Sequence, residues 1–206
     1  TGAEQIAYRY QVRSINRHRI ESPPGETVTA EALPEIKTPI FDLSFEDSLE
    51  AKMLESTVSA GLAHGGARIA DGMLDLSAGG YVAYPYNDLF DLNSSLSLEC
   101  MIRFDEPGQM PVVVSCGQWN SKGWFLQSIG GKWRWHLAGN DCDGGKVTQG
   151  QWIHIVGTFD GNTAALYQNG KKVASIPCNP NREPWAKDLL IGQYAPAPGP
   201  QYQTKA

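Results

Sequence analysis

A chain of 206 residues can bury one large core or two modest ones, and 22 Gly with 13 Pro beside ordinary hydrophobic (41%) and charged (19%) fractions favour a turn-rich, all-β protein. A formal net charge of -5 and a pI near 5.3 argue against a broad basic footprint for nucleic acid or an anionic membrane surface. No run of about 18 apolar residues occurs, so no transmembrane helix is expected, and Thr1, which no signal-peptide core follows, is expected to be a processed or excised start.

From Tyr8 the run YRYQVRSIN alternates, with Tyr8, Tyr10, Val12 and Ser14 on one side and Arg9, Gln11, Arg13 and Ile15 on the other. That is the period of a half-buried strand. A polar turn at Asn16 to Arg19 follows, and Pro23, Pro24 and Gly25 interrupt the chain before a short alternating run from Thr27 to Ala30. The two runs are expected to form a hairpin. Leu33 to Pro39, with two prolines and mixed charges, reads as a linker, and Ile40 opens a second module.

There Phe41, Leu43 and Phe45 alternate against Asp42, Ser44 and Glu46 as a first strand. Ser48 to Gly66 reads as a polar, small-residue loop with a short helical turn at Ser48 to Glu55. Strands are then expected near Met73 to Leu76, Tyr81 to Tyr84, Leu96 to Phe104, Val112 to Cys116, Gly123 to Ser128 and Lys132 to Leu137. The series continues at Trp152 to Phe159, Ala164 to Gln168, Lys171 to Ile176 and Leu189 to Ile191. Asp160 to Asn162 and Asn169-Gly170 are tight-turn signals, since Asn and Gly accept positive φ at little cost.

Four cysteines allow three full pairings, and none forms a C-x-x-C zinc pair. Cys142 and Cys178 lie in loop or strand-end contexts and are the preferred disulfide. Cys100, in phase with Leu96, Leu98, Ile102 and Phe104, reads as a small buried thiol, and its pairing with Cys116 is left open.

The opening segment resembles the last two strands of a fibronectin type III module, whose pattern Tyr8, Tyr10, Val12, Ser14, Asn16, Ser22 and Pro23 fit. The resemblance covers residues 1–32 and implies a partial immunoglobulin-like hairpin, followed by a linker at 33–39. Residues 40–206 resemble the concanavalin A-like, laminin G-like jelly rolls. GMLDLSAGGYVAYP and LSLECMIRF are similar to two of the family's runs, and GQWIHIVGTFDG followed by ALYQNGKKVAS is the strongest piece. In it Trp152, His154, Val156, Phe159, Asp160, Gly161, Leu166, Tyr167, Asn169 and Gly170 fall at the family's positions. An all-β antiparallel sandwich of the jelly-roll type is implied, with Trp152 in its core. The family's closing strand is not seen before Ala206. Both modules are therefore expected to be completed by the remainder of the same protein or by a companion chain.

Flat indole faces stack on sugar rings, and Arg, Asn and Asp beside them fix hydroxyls. Trp119, Trp124, Trp133, Trp135 and Trp185, with Arg182, are the candidate carbohydrate-binding residues, although at least two of the first four are expected to fill the core. Trp133 and Trp135 share one strand face, with Arg134 and His136 on the other. Trp185 sits in the polar loop NPNREPWAKD as a ligand anchor or as a lid over the sandwich end, with Asn179, Asn181 and Arg182 for polar contacts. His136 and His154 read as structural histidines. Related jelly rolls often carry a structural calcium, for which Asp47, Asp71 and Asp75 are the candidate ligands.

Glycosidases and polysaccharide lyases also use this fold, but the one close acidic cluster noted, Glu46, Asp47 and Glu50, has the wrong alternation for a carboxylate pair. The expected function is a non-catalytic carbohydrate-binding or adhesive module of a larger secreted or cell-surface, bacterial-type protein that processes polysaccharide. Its partner would be a glycan. The alternative is a purely structural module packed against a catalytic domain.

Overall fold

The computed structural model describes residues 7–10, 28–31, 39–54, 58–93, 95–106 and 108–206. The chain divides into two units, Thr1–Pro39 and Ile40–Ala206. In the first, β1 (Ala7–Tyr10) pairs antiparallel with β2 (Val28–Glu31), Tyr8 opposite Ala30. The expected hairpin is thus present as a strand pair. Its Asn16 to Arg19 turn, the Pro23-Pro24-Gly25 interruption and most of the linker lie outside the described residues.

The second unit begins with β3 (Phe41–Asp42), β4 (Glu50–Met53) and β5 (Val58–Ala60), which form a small sheet. β7 (Arg68–Ala70) and β8 (Met73–Asp75) make a hairpin. Two large sheets form the body. One has seven strands in the order β14-β13-β12-β11-β18-β9-β6, built from β6 (Leu62–Gly65), β9 (Gly80–Tyr84), β11 (Val112–Gln118), β12 (Lys122–Ile129), β13 (Lys132–Leu137), β14 (Asn140–Gly144) and β18 (Leu189–Ile191). The other has four in the order β10-β15-β16-β17, from β10 (Leu96–Ile102), β15 (Ile153–Phe159), β16 (Thr163–Gln168) and β17 (Lys171–Pro177). All their pairings are antiparallel. This is the expected all-β sandwich, without an α-helix among the described residues.

Period-two patterning supplies the two inner faces. On β15, Ile153, Ile155, Gly157 and Phe159 are buried while His154, Val156 and Thr158 are half-buried. Facing them, β13 contributes Trp133, Trp135 and Leu137, each 0% exposed. Trp135 reaches across the sandwich. Its ring lies where a Cβ on Gly157 would come within 2.7 Å, and its Nε1–H donates to the Thr158 carbonyl at 3.2 Å. The second sheet therefore makes room for the indole by omitting a side chain. Trp124 packs 5.6 Å from Trp135 and Phe104 5.7 Å from Trp133, centroid to centroid. Burying each such ring contributes on the order of 2 kcal/mol or more.

Several expectations are corrected. Glu50–Met53 is a strand and not a helical turn, because Ala51 and Met53 alternate into the core opposite β3 and β5. The first strand stops after Asp42, and Phe45 takes φ 58. Asn140–Gly144, composed like a turn, is a strand because the free edge of β13 offers it a ladder and Cys142 fills a core position. Trp152 is 46% exposed and not in the core, since β15 begins one residue later, and the Arg103 guanidinium lies 5.4 Å above its ring.

The expected Cys142–Cys178 disulfide is absent, and all four cysteines are free thiols. Cys142 turns its thiol to the Ala164 carbonyl at 3.7 Å, within the dry interior. Burial pushes the Cys178 thiol up to about 11 and Cys100 to about 12, so neither is a ready nucleophile.

The C-terminal residues pass over the sandwich rather than leaving it. The Thr204 N–H and Oγ1 donate to the carbonyls of Gly192 (3.0 Å) and Val112 (2.8 Å). The Lys205 carbonyl accepts from the Asp105 N–H at 3.0 Å and the Ala206 carbonyl from the Leu76 N–H at 2.8 Å.

Candidate functional site

Strand pairing assigns each side chain of the seven-stranded sheet to a face. Cys142, Trp135, Leu126 and Val114 form one cross-strand row, all buried against the second sheet. The neighbouring row, Asp141, His136, Phe125, Ser115 and Leu190, points to the outer face. Most of that row is covered as well. Tyr194 meets Phe125 edge to face at 5.6 Å, and Ser115 Oγ accepts the Ala195 N–H at 3.2 Å.

His136 holds this face to the end of the sandwich. Its Nδ1 bonds Asp141 at 2.5 Å, and its Nε2 accepts the N–H groups of Gly139 (3.1 Å) and Asn120 (3.3 Å). An Nε2 that accepts two donors fixes the neutral tautomer with its proton on Nδ1. Burial, the largest influence, depresses the His136 pKa against the opposing pull of Asp141. The ring also stacks on Phe125 at 4.4 Å. His136 is a structural histidine, as its strand position implies.

The β11–β12 hairpin tip is set by Gly123, whose φ of 71 and whose Cβ position, 2.1 Å from the Cys116 carbonyl oxygen, admit no side chain. The tip then carries Trp119 and Asn120. The Trp119 N–H donates to Tyr194 Oη at 2.8 Å, the Asn120 N–H to His136, and Asn181 Nδ2 to the Ser121 carbonyl at 3.2 Å. Three bonds thus hold the backbone of the tip while the Trp119 ring stays 55% exposed. Gln118, Asn120 and Asn181, all exposed, lie on the same tip or bonded to it.

The other indole candidates are elsewhere. Trp124, Trp133 and Trp135 are core residues at 4%, 0% and 0% exposure, and Trp124 donates its Nε1–H to the Phe90 carbonyl at 2.7 Å. Trp185, at 4%, is also buried, as a lid whose N–H donates to Asp91 Oδ1 at 3.3 Å. A polar local sequence concealed this, because the loop closes over the sandwich end. Arg182 is a bracket between loops, with Nη1 donating to the Asn93 carbonyl (3.2 Å) and Nη2 to that of Gly161 (3.1 Å). Five candidate carbohydrate contacts are therefore structural and one, Trp119, is presented.

The three calcium candidates are not gathered. Among the described residues no group of three His, Cys, Asp or Glu side chains is placed to hold a metal ion. Asp75 accepts the Ser77 N–H at 2.8 Å and pairs with Arg68, and its Ser77 hydrogen bonds hold its carboxyl below the usual range. Asp71 sits in the β7–β8 turn at φ 52, and Asp47 is exposed in the loop before β4.

Two acids escaped the sequence reading. Asp141 and Asp143 alternate on the outer face of β14, the arrangement a carboxylate pair would need. Arg134 engages both, at 2.9 Å to Asp141 Oδ2 and through a two-bond fork of 2.8 and 2.6 Å to Asp143, and these bonds raise its own pKa. The pair is an internal clamp. Tyr194, which orients the Trp119 tip, was likewise missed, since no local pattern marks it.

Two stacked antiparallel sheets define a β-sandwich of the concanavalin A-like class. The chain belongs to the Laminin G 3 family (concanavalin A-like lectin/glucanases superfamily), whose model matches residues 76–204, more than half its length. No curated protein matches the sequence. Among solved structures, the binding domain of botulinum neurotoxin DC in complex with SialylT is similar, at 14% identity and a TM-score of 0.56, over 74% of this chain and 42% of that one. The binding domain of botulinum neurotoxin serotype G matches at 15% and 0.52, over 68% and 40%. Domains LG4-5 of the mouse laminin α1 chain match at 13% and 0.49, over 75% and 42%. The chain spans about two fifths of the length of these solved chains, and at such identity the likeness to the two toxin domains establishes the fold alone. The family match does not reach the first unit.

Proposed function

We propose that the Ile40–Ala206 unit is a non-catalytic carbohydrate-binding module of a secreted protein, with Trp119 as the stacking platform. One observation carries this reading: a large apolar ring held half in water on a tip whose backbone is fixed by Tyr194, His136 and Asn181. An exposed indole on a floppy loop would lose entropy on binding, whereas this one is already placed. Gln118, Asn120 and Asn181 supply the donors and acceptors that hydroxyl groups require. The lectin-class fold supports the reading, as does a structural neighbour found in complex with SialylT. The fibronectin type III-like reading of the first unit rests on its sequence pattern and on the pairing of β1 with β2.

A glycan array that includes SialylT, followed by calorimetry on the strongest hit, tests the module. Trp119→Ala should weaken binding by roughly thirtyfold, the loss of about 2 kcal/mol expected of a central aromatic contact, and leave thermal stability within about 0.5 kcal/mol of the parent. Absence of any hit, or a hit indifferent to Trp119→Ala, would overturn the assignment.

A further inference from the structure

The hairpin tip that presents Trp119 rests on three bonds, and one of them depends on a proton. The Trp119 N–H donates to Tyr194 Oη and Asn181 Nδ2 to the Ser121 carbonyl, while the Asn120 N–H donates to His136 Nε2 at 3.3 Å. An amide does not ionise in this range. A phenol does so only near about pH 10, and burial pushes that of Tyr194 higher. His136 Nε2 is different. It also accepts the Gly139 N–H at 3.1 Å, so both donors share the single lone pair of a neutral imidazole. Protonation replaces that lone pair with an N–H, and two backbone donors then face a third.

The two donors are not equally free to leave. Gly139 belongs to the tight β13–β14 turn, where Ala138 and Gly139 take φ 37 and 95 and Asn140 Nδ2 bonds the Leu137 carbonyl. Asn120 stands at an exposed tip, with its own φ of 52 in the left-handed region. A side chain holds that conformation only where its surroundings favour it, so Asn120 is the group that yields.

Charged groups reach the ring from two strands: Asp141 and Asp143 on β14 favour the imidazolium, and Arg134 on β13 disfavours it. β12 contributes the Phe125 ring, stacked at 4.4 Å, and the C-terminal segment Tyr194, which meets Phe125 edge to face. Burial outweighs these charges and keeps the ring neutral while the tip is closed. Opening the tip admits water and relieves that burial, so the open form takes up the proton more readily than the closed one.

We propose that uptake of a proton by His136 releases Asn120 and unlocks the tip, so that this face holds its ligand at neutral pH and lets it go in acid. A ligand that needs the closed tip keeps the proton off His136, and by reciprocity its affinity falls with pH, by at most about tenfold per pH unit for one proton. The ligand half of this inference rests on Trp119 being the stacking platform, whereas the release of the tip does not.

NMR of the full chain without ligand, from about pH 7.5 to about pH 4.5, tests the release. The His136 ring should pass from the Nδ1–H tautomer to the imidazolium while the chain stays folded. Over the same titration, amide exchange at Asn120, corrected for the intrinsic effect of pH, should quicken at least about tenfold, with Leu126 unchanged. Asp141→Asn removes a charge that favours the imidazolium and should move the transition to lower pH. For the ligand, the strongest hit of the glycan array should bind at least about fivefold more weakly at the acid end than at the neutral end. In His136→Gln, which keeps an acceptor but cannot be charged, the two affinities should agree within about twofold, whatever their size. The proposal is overturned if His136 stays neutral until the chain unfolds, or becomes charged with Asn120 exchange unmoved. An equal loss of affinity in the parent and in His136→Gln overturns its ligand half. If no glycan binds at any pH, the carbohydrate reading fails, and the titration alone still decides whether the tip is released.

Discussion

β13 and β10 carry the same alternation and end in different states. In KWRWHL the inward Trp133, Trp135 and Leu137 are each 0% exposed, whereas in LSLECMI the inward Leu96, Leu98 and Cys100 remain half-buried. β13 lies between β12 and β14 and faces the gap that Gly157 leaves, while β10, among the described residues, stands at the edge of its sheet and lines a cleft with residues 40–45. Side-chain period decides which face points inward. Neighbouring strands decide whether inward means dry.

The largest expected effect breaks this contrast directly. Trp135→Ala should cost about 3–5 kcal/mol, since it empties a site enclosed by both sheets, and Leu98→Ala less, about 1–2 kcal/mol, since part of that side chain is already in contact with solvent. Urea unfolding of the two variants measures both. Equal losses would mean that the β10 face is as well packed as the β13 face.

A smaller effect concerns the polar side of the closed region. Burial keeps His136 neutral in the folded chain, with its pKa below the ordinary 6.5, so on acidification the unfolded chain takes up the proton first. Stability from this group is complete above about pH 6.5 and is lost as the pH falls towards the folded-state pKa, by up to about 1.4 kcal/mol per pH unit. His136→Gln removes that titration, so the fall in urea midpoint between about pH 7.5 and pH 5.5 should be steeper in the parent than in the variant. Equal slopes would show that burial does not hold the ring neutral.

The smallest expected effect is none at all. Loss of a native disulfide typically costs 2–5 kcal/mol, so a reductant that leaves the melting temperature unchanged, together with four alkylated cysteines in unreduced, denatured protein, agrees with free Cys100, Cys116, Cys142 and Cys178. A drop on reduction would place a bridge in the molecule and tie the closed region together covalently.

Most of the sandwich was legible because strands that alternate for five or more residues announce themselves. β9 to β13 and β15 to β17 fall close to the expected ranges. β14 was not legible, since Asn140, Asp141, Asp143 and Gly144 are turn formers that become a strand only because β13 offers an edge. β4 was hidden by its small inward residue Ala51. The candidate site was legible only as a set of tryptophans. NPNREPWAKD is polar on both sides of Trp185, yet the ring is a lid; GQWIHI matches a framework strand, yet Trp152 stands in solvent beside Arg103.

The sequence by itself determined the all-β class, the inward face of each long strand and the antiparallel hairpins around Asn169-Gly170 and Asp160, because period and turn chemistry are local properties. Only the tertiary structure decided which indole is presented. Trp119 is exposed because Tyr194, seventy-five residues away, holds its backbone at the tip, and Trp135 is buried because Gly157, on the opposite sheet, lacks a side chain. Exposure belongs to the arrangement of distant segments, so no window of sequence around a tryptophan contains it.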